Sequence, residues 1–148
     1  MSSPISEPAP ASGAPGGKTS FMNLDSNLGA MLCYILDFLC CLGLVLAIVF
    51  LITEKENRFV KFHAVQSLFL VVLAIAASII LEILQVILAI VLNLANMGWI
   101  AGLLTWLFGC LVLLIFAILT LIGGLKAYGG QWYKLPIIGE FAWKIVNK

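Results

Sequence analysis

Three long apolar runs constrain this chain more than any other feature of its sequence. They cover residues 28–53, 64–95 and 98–125, and each is longer than the roughly 20 residues that a helix needs to cross a bilayer. Because backbone polar groups cannot stay unpaired in lipid, unalternating runs of this length are expected to be helical. The sequence therefore predicts an all-α integral membrane protein with three transmembrane helices.

The overall composition also favours lipid as the solvent of this chain. Hydrophobic residues make up 63% of the 148 positions and charged residues 10%, and the mean hydropathy is +1.15, whereas soluble domains are about 25% charged. The net charge of +1 gives no reason to expect a nucleic-acid partner. We expect a disordered tail rich in Pro, Ser, Gly and Ala at residues 1–22, followed by one membrane domain at residues 23–148.

The second apolar run is longer than a bilayer requires. As one helix its residues would extend about 48 Å, against a hydrocarbon core of about 30 Å. Either the helix projects from the membrane, or it breaks near Glu82 and residues 83–95 form a separate interfacial helix. The connector at residues 93–98 indicates the turn before the third run.

The residues after the third run change in character. Gly129 and Gly130 are expected to end the preceding helix, and Pro136 suits the first position of a new one. Apolar and charged side chains then separate onto two faces, with Ile137, Ile138, Phe141 and Ile145 on one and Glu140, Lys144 and Lys148 on the other. We expect an amphipathic helix over about 136–147 that lies on the membrane surface.

The distribution of lysine and arginine predicts the orientation. With three spans, the side that holds the tail and the 93–98 connector carries only Lys18. The other side carries seven cations, namely Lys55, Arg58, Lys61, Lys126, Lys134, Lys144 and Lys148. The positive-inside rule then predicts an N-terminus outside and a C-terminus in the cytoplasm, most simply in a bacterial inner or plasma membrane. The basic cytoplasmic face is expected to meet anionic lipid headgroups.

Two acidic residues, Asp37 and Glu82, lie within the apolar runs. Charge at membrane depth is costly, which makes both residues candidates for function. Helical rise predicts similar depths for them, near the outer interface. Three interpretations remain open: the side chains extend outward to headgroups, they form a pair that binds a proton or cation, or they hydrogen-bond to Ser78 or Thr105.

The segment at residues 56–67, ENRFVKFHAVQS, contains the only histidine of the chain. If the second helix begins by Phe59, one of its stripes carries Phe59, Phe62, His63 and Gln66. Arg58 and Lys61 fall on a neighbouring stripe. We expect these cations to face lipid headgroups, and His63 and Gln66 to turn inward and pack against other helix ends.

The sequence offers little that would support an enzyme. The four cysteines lie in apolar runs, which is typical of small buried hydrophobes rather than zinc ligands. No nucleophile–base pair, phosphate loop or Cys/His cluster appears, so we expect no enzymatic activity, no metal and no cofactor. Gly98 and Gly102 form a GxxxG pattern that is compatible with a packed bundle or with a homo-oligomer.

Two segments carry a resemblance to known proteins: EKENRFVKFHAVQS, residues 54–67, and KAYGGQWYKLPIIGE, residues 126–140. From residue 23 to about 146 the chain resembles the Tic-twenty-like family, small bacterial membrane proteins related to the chloroplast inner-envelope import component. It is also similar to magnetosome membrane proteins that carry a related Phe-His-Ala segment. The resemblance implies a helical integral membrane protein, and for the chloroplast relatives a part in preprotein translocation. Those plant relatives have four spans, whereas the charge pattern here favours three.

The resemblance carries over no catalytic residue and marks His63, Gln66 and Pro136 only as motif positions. We therefore expect a non-enzymatic membrane protein that acts as a scaffold, accessory or assembly factor. One alternative is a component of a protein-translocation or small-solute transport path, which would need polar side chains such as Asp37 and Glu82 along it. Another alternative is a lipid-binding or membrane-shaping protein that uses the C-terminal helix.

Overall fold

The described part of the chain is helical. The computed structural model describes residues 17–39, 42–55 and 57–147, so the first sixteen residues of the predicted tail lie outside it. Within these ranges the helices are α1 (Ser26–Ile35), α2 (Leu42–Thr53), α3 (Arg58–Leu94), α4 (Gly98–Tyr128) and α5 (Ile138–Val146). A short 3₁₀ helix, Leu36–Leu39, follows α1, and an isolated bridge joins Lys18 to Asp25. The predicted all-α class is confirmed.

Two helices, α3 and α4, are long and apolar enough to cross a bilayer. Asn57 caps the start of α3, since its side-chain oxygen accepts a hydrogen bond from the backbone N–H of Val60 at 3.2 Å. α3 has 37 residues, about 55 Å by helical rise, and it passes through Glu82 as one uninterrupted helix. It is joined to the antiparallel α4 by residues 95–97, where Asn96 adopts a left-handed φ of 58°.

The first apolar run does not form one helix. α1 and α2 have ten and twelve residues, and each is too short to cross a bilayer. A Cβ on Gly43, at the start of α2, would lie 2.7 Å from the carbonyl oxygen of Cys33, near the end of α1. At the opposite ends of these two helices, Phe50 lies beside Gly29. α1 and α2 therefore form a tight antiparallel hairpin, and the prediction of a single helix over residues 28–53 is wrong; the count of three spans is not confirmed.

The hairpin returns the chain to the end of the molecule at which α1 begins. Asn57, just before α3, donates a side-chain hydrogen bond to the hydroxyl of Ser26. Glu54, just after α2, accepts hydrogen bonds from the backbone N–H and the hydroxyl of Ser20. The predicted topology placed the tail and the 54–63 loop on opposite sides of the membrane, but the structure places them in contact. The physical reason is that α1 and α2 run in opposite directions instead of crossing together.

Buried side chains concentrate at this end of the molecule. We call it the basic end, and it comprises residues 17–26, 54–67 and 120–147. Its core contains the fully buried Phe59 and Phe62 of α3, and the fully buried Tyr34 of α1 and Phe50 of α2 pack against this end from the hairpin. Beyond it, residues 71–94 of α3 and 98–119 of α4 form a pair that we call the distal helices. Their large apolar side chains are mostly exposed, as on a surface that faces lipid.

The C-terminal helix is shorter than predicted and begins after Pro136, which lies in a turn. The N–H of Ile138 donates to the carbonyl of Pro136 at 2.8 Å, and Ile137 between them has φ 68° and ψ −56°, a tight γ-turn. Ile138 and Ala142 are buried against the rest of the protein. Ile137, Phe141 and Ile145 form a separate exposed apolar stripe, so the single apolar face predicted from the sequence is divided into a packed face and an exposed one.

Candidate functional site

The candidate site is a buried polar network at the basic end, built on the first turns of α3. His63 and Gln66 are both 0% exposed, and they project toward α1 and toward residues 131–135. α1 runs parallel to these turns and brings Tyr34, also fully buried, between them. Three polar side chains from two helices therefore meet in a core that water does not reach.

The hydrogen bonds of His63 define its tautomer. Its Nε2 lies 3.1 Å from the backbone carbonyl oxygen of Gln131. A carbonyl only accepts, so Nε2 carries the proton and donates. Nδ1 lies 3.2 Å from the hydroxyl of Tyr34 and accepts a hydrogen bond from it. His63 is thus a neutral imidazole with both ring nitrogens engaged.

Gln66 closes the network and has all of its hydrogen-bonding groups in use. Its amide nitrogen donates to the hydroxyl oxygen of Tyr34 at 3.0 Å and to the backbone carbonyl of Tyr133 at 3.2 Å. Its amide oxygen accepts from the backbone N–H of Leu135 at 3.3 Å. The network therefore holds residues 131–135 against α1 and α3. It leaves neither ring nitrogen of His63 free to exchange a proton with a bound molecule.

Aromatic side chains surround His63. Phe59 and Phe62 meet its ring edge to face, with centroid distances of 4.7 and 5.0 Å. Phe62 also contacts Trp132 and Trp143, which bring in the C-terminal segment and α5. This apolar shell excludes water from the network and strengthens its hydrogen bonds.

A second buried polar cluster fastens the start of α1 to the loop after α2. Glu54 is 1% exposed and binds the chain at Ser20, while Asn57 joins Ser26 to the first turn of α3. Sequence analysis did not single out Glu54, Asn57 or Tyr34. One feature of the sequence could have identified Tyr34. Its hydroxyl lies within an apolar run, and a buried tyrosine hydroxyl usually needs a hydrogen-bond partner.

Asp37 lies at the tip of the α1–α2 hairpin. Its Oδ2 accepts a hydrogen bond from Ser67 at 2.9 Å, and its Oδ1 faces Gly43. It borders an open, mainly apolar groove of about 270 Å³ between α3 and α4, which Thr120 also lines. The predicted hydrogen-bond partners, Ser78 and Thr105, are not those of Asp37.

Glu82 lies far from Asp37. Ser67, the partner of Asp37, precedes Glu82 by fifteen residues on one continuous helix, which is about 22 Å. The two acids therefore do not form a pair, and their predicted similar depth is wrong, because residues 28–53 turn back at Asp37 instead of continuing as a helix. Glu82 is exposed on the distal helices, beside an open groove of about 410 Å³.

The cations gather at the basic end. Arg58 is exposed and Lys61 partly exposed, while His63 on the neighbouring stripe is buried. Lys126 lies over the ring of Tyr133 at 5.7 Å and Lys134 over that of Trp143 at 4.6 Å, so these two cations brace the C-terminal segment. Every Lys and Arg among the described residues lies at this end, including Lys18, which was predicted to lie on the opposite side.

Metal-binding residues do not converge in the described ranges. Within residues 17–39, 42–55 and 57–147, no three His, Cys, Asp or Glu side chains lie together in a group that could hold an ion. Cys33 is buried, and its thiol lies 3.5 Å from the carbonyl oxygen of Gly29, whereas Cys110 is exposed. The other two cysteines lie outside the described residues.

A comparison with protein families matches residues 25–142 to the model of the magnetosome magnetite crystal formation protein family. Among curated proteins, a UPF0132 membrane protein of Methanocaldococcus jannaschii is 38% identical over 85% of this chain and 92% of its own length. A second one from the same organism is 32% identical over 82% of this chain and 70% of its own length. One from Archaeoglobus fulgidus is 35% identical over 68% of this chain and 82% of its own length.

These relatives are named as membrane proteins, and their names indicate no reaction. No solved structure matches the chain. The similarity to magnetosome proteins is confirmed, whereas the resemblance to the Tic-twenty-like family stays a prediction.

Proposed function

This chain belongs to the magnetosome magnetite crystal formation protein family, and from that premise we propose that it is a non-enzymatic membrane scaffold with a rigid cytoplasmic end. α3 and α4 cross the bilayer in this proposal. The α1–α2 hairpin enters the membrane from the cytoplasmic side and returns to it. A scaffold fits a family described by crystal formation, because a membrane protein can present an assembly surface without carrying out a reaction itself.

The observation that carries this proposal is the closed network of Tyr34, His63 and Gln66. The polar groups of residues 54–67 and 126–140 bind one another, since His63 and Gln66 hydrogen-bond to the backbone at residues 131–135. Such a network rigidifies a surface and does not leave a catalytic group facing a substrate. The network therefore supports a platform on which other components assemble.

The charge distribution supports a cytoplasmic location for the basic end. All described cations lie there, and the turn at residues 95–97 at the opposite end of α3 and α4 has no charged residue. This asymmetry is stronger than in a three-span arrangement, in which Lys18 lies on the other side. The exposed stripe of Ile137, Phe141 and Ile145 then rests in the headgroup region of the cytoplasmic leaflet.

The arrangement is tested by labelling single cysteines with a membrane-impermeant maleimide. In a background with all four native cysteines replaced by alanine, the variants Lys18→Cys, Asn96→Cys and Lys144→Cys place the thiol at exposed positions. We expect Asn96→Cys to react in intact cells, and the other two to react only after the cells are permeabilised. Labelling of Lys18→Cys but not Lys144→Cys in intact cells would restore the three-span arrangement and contradict the proposal.

The scaffold role is tested at the same positions with a photo-crosslinking side chain. We expect residues 18 and 144 to form adducts with the same partner proteins in living cells, since both lie on one platform. The lipid-facing position 84 is the control and should give lipid adducts. Only lipid adducts at all three positions would argue against a scaffold.

A further inference from the structure

The distal helices leave one polar face uncovered in a region that is otherwise apolar. Exposed side chains such as Ile79, Leu84 and Leu113 suit contact with lipid and need no protein partner. Ser78, Glu82 and Gln85 instead follow at i, i+4 and i+7, and therefore share one face of α3. They line a groove of about 410 Å³ with Gly109 and Val112 of α4. We call this surface the Glu82 face.

Only one of the three polar side chains on this face has a hydrogen-bond partner within the described chain. Ser78 donates to the carbonyl of Ile75 in its own helix, at 2.8 Å. Glu82 and Gln85 make no side-chain hydrogen bond to any other residue that the structure describes. In lipid, an uncompensated acid and an uncompensated amide are both costly, so this face needs a polar partner.

Glu82 cannot escape the hydrocarbon by extending its side chain along the helix. In the lipid-facing part of α3, residues 71–94, it lies eleven residues after the first residue, about 16 Å, and twelve residues before the last, about 18 Å. Its two methylene groups cover only a small part of either distance. Headgroups and water at the two surfaces are therefore not its partner.

We propose that the Glu82 face binds a second copy of this chain, with Glu82 of each copy paired to Gln85 of the other. The proposal rests on the membrane-spanning arrangement described above, since the partner is needed only if this face lies in lipid. Two copies inserted in the same direction are related by a two-fold axis along the membrane normal, which brings equal depths together. An amide donates and a carboxyl accepts, so the Glu82–Gln85 pair is complementary to itself across that axis.

The surface beside the polar residues allows a close approach. A Cβ added at Gly109 would have no neighbouring atom within 4 Å, so this part of α4 presents bare backbone. Small residues at such positions let membrane helices pack at short distance, where hydrogen bonds across the interface can form. Gly109 therefore supplies the space, and Glu82 and Gln85 supply the specificity.

The test is the monomer–dimer equilibrium of the full chain in phosphatidylcholine vesicles, followed by single-molecule photobleaching over a range of protein-to-lipid ratios. We expect the wild type to dimerise, and Glu82→Gln to do so with similar strength, because an amide keeps the hydrogen bond. Glu82→Leu, which suits lipid, should weaken dimerisation by about tenfold. Equal dimerisation by Glu82→Leu and the wild type, or a monomeric wild type at every ratio, overturns the proposal.

Disulfide crosslinking locates the interface in the same cysteine-free background. Ala89→Cys lies on the face of Glu82, seven residues further along α3, and Leu84→Cys lies on the opposite face as a matched control. We expect oxidation to join two copies through residue 89 and not through residue 84. Equal crosslinking at both positions, or adducts of residue 89 only with a different membrane protein, overturns the proposal. Both readouts are independent of the labelling of residues 18, 96 and 144, so a failed topology and a failed dimer are distinguishable.

Discussion

At the scale of single residues, the buried network depends on complete pairing. Tyr34 donates to His63 and accepts from Gln66, so each side chain fixes the orientation of the next. A buried polar group that loses its partner costs about 1–3 kcal/mol, more than the hydrogen bond contributes when it is intact. Removing one member should therefore weaken the attachment of the whole C-terminal segment.

We predict that Gln66→Ala lowers the free energy of unfolding by about 2–3 kcal/mol, because the N–H of Leu135 and the carbonyl of Tyr133 lose their partner in a dry core. Thermal unfolding in detergent and the rate of tryptic cleavage at Lys144 measure the effect. Gln131→Ala is the matched control, since His63 binds only the backbone carbonyl of Gln131 and the side chain is exposed. Similar stability of the two variants would show that the network does not hold this segment.

The spacing of residues along α3 was sufficient to predict which polar side chains at the basic end are buried and which are exposed. A 3.6-residue period puts His63 and Gln66 on one stripe and the cations on another, and the structure has the former buried and Arg58 exposed. The partners were not predictable in the same way. Two of them are the backbone carbonyls of Gln131 and Tyr133. Every residue has a backbone carbonyl, so the residue type does not show which carbonyl will accept a hydrogen bond.

At the scale of helices, the α1–α2 hairpin is the main departure from the sequence-based fold. Uniform apolarity over residues 28–53 indicates burial in lipid but contains no information on where the chain reverses. The reversal depends on local contacts, above all the close approach of Gly43 to the end of α1. By contrast, α3 and α4 have turn signals at both ends, and their predicted bounds differ from the observed ones by six residues or fewer.

The packing of α1 on α4 depends on Gly123. A Cβ at this position would lie 2.7 Å from the ring of Tyr34, which the network holds in place. We predict that Gly123→Ala destabilises the protein by about 1–3 kcal/mol through overpacking. Gly102→Ala is the control in the same helix, where a Cβ meets nothing within 4 Å. The midpoints of thermal unfolding of both variants are compared in one detergent. Equal midpoints would contradict this packing of Tyr34 on Gly123.

At the scale of the whole molecule, the hairpin changes the charge asymmetry of the chain. The topology predicted from the sequence has one cation, Lys18, on one side of the membrane and seven on the other. The folded chain instead brings Lys18 to the basic end with the other described cations. The turn at residues 95–97, at the other end of α3 and α4, contains no charged residue. Orientation in the membrane should therefore be sensitive to positive charge placed at that turn.

We predict that the double variant Asn96→Lys, Met97→Lys lowers the fraction of molecules that insert with this turn outside, since cations resist translocation. The fraction is measured as the reaction of Ala95→Cys with impermeant maleimide in intact cells, in the cysteine-free background. The control, Asn96→Asp with Met97→Asp, should keep the parental fraction because acids contribute little to orientation. Equal losses with lysine and aspartate would mean that any charge at the turn is harmful.

The bond between His63 and the carbonyl of Gln131 joins residues separated by 68 positions, and this separation sets an order of events during synthesis. At a rate of synthesis of about 5–20 residues per second, Gln131 is added roughly 3–14 s after His63. During that interval a histidine and a glutamine have unmatched polar groups beside a forming apolar core. A chain that stops short of residue 131 keeps this defect permanently, so the network of His63 and Gln66 forms only after α1, α3 and α4 have all been made.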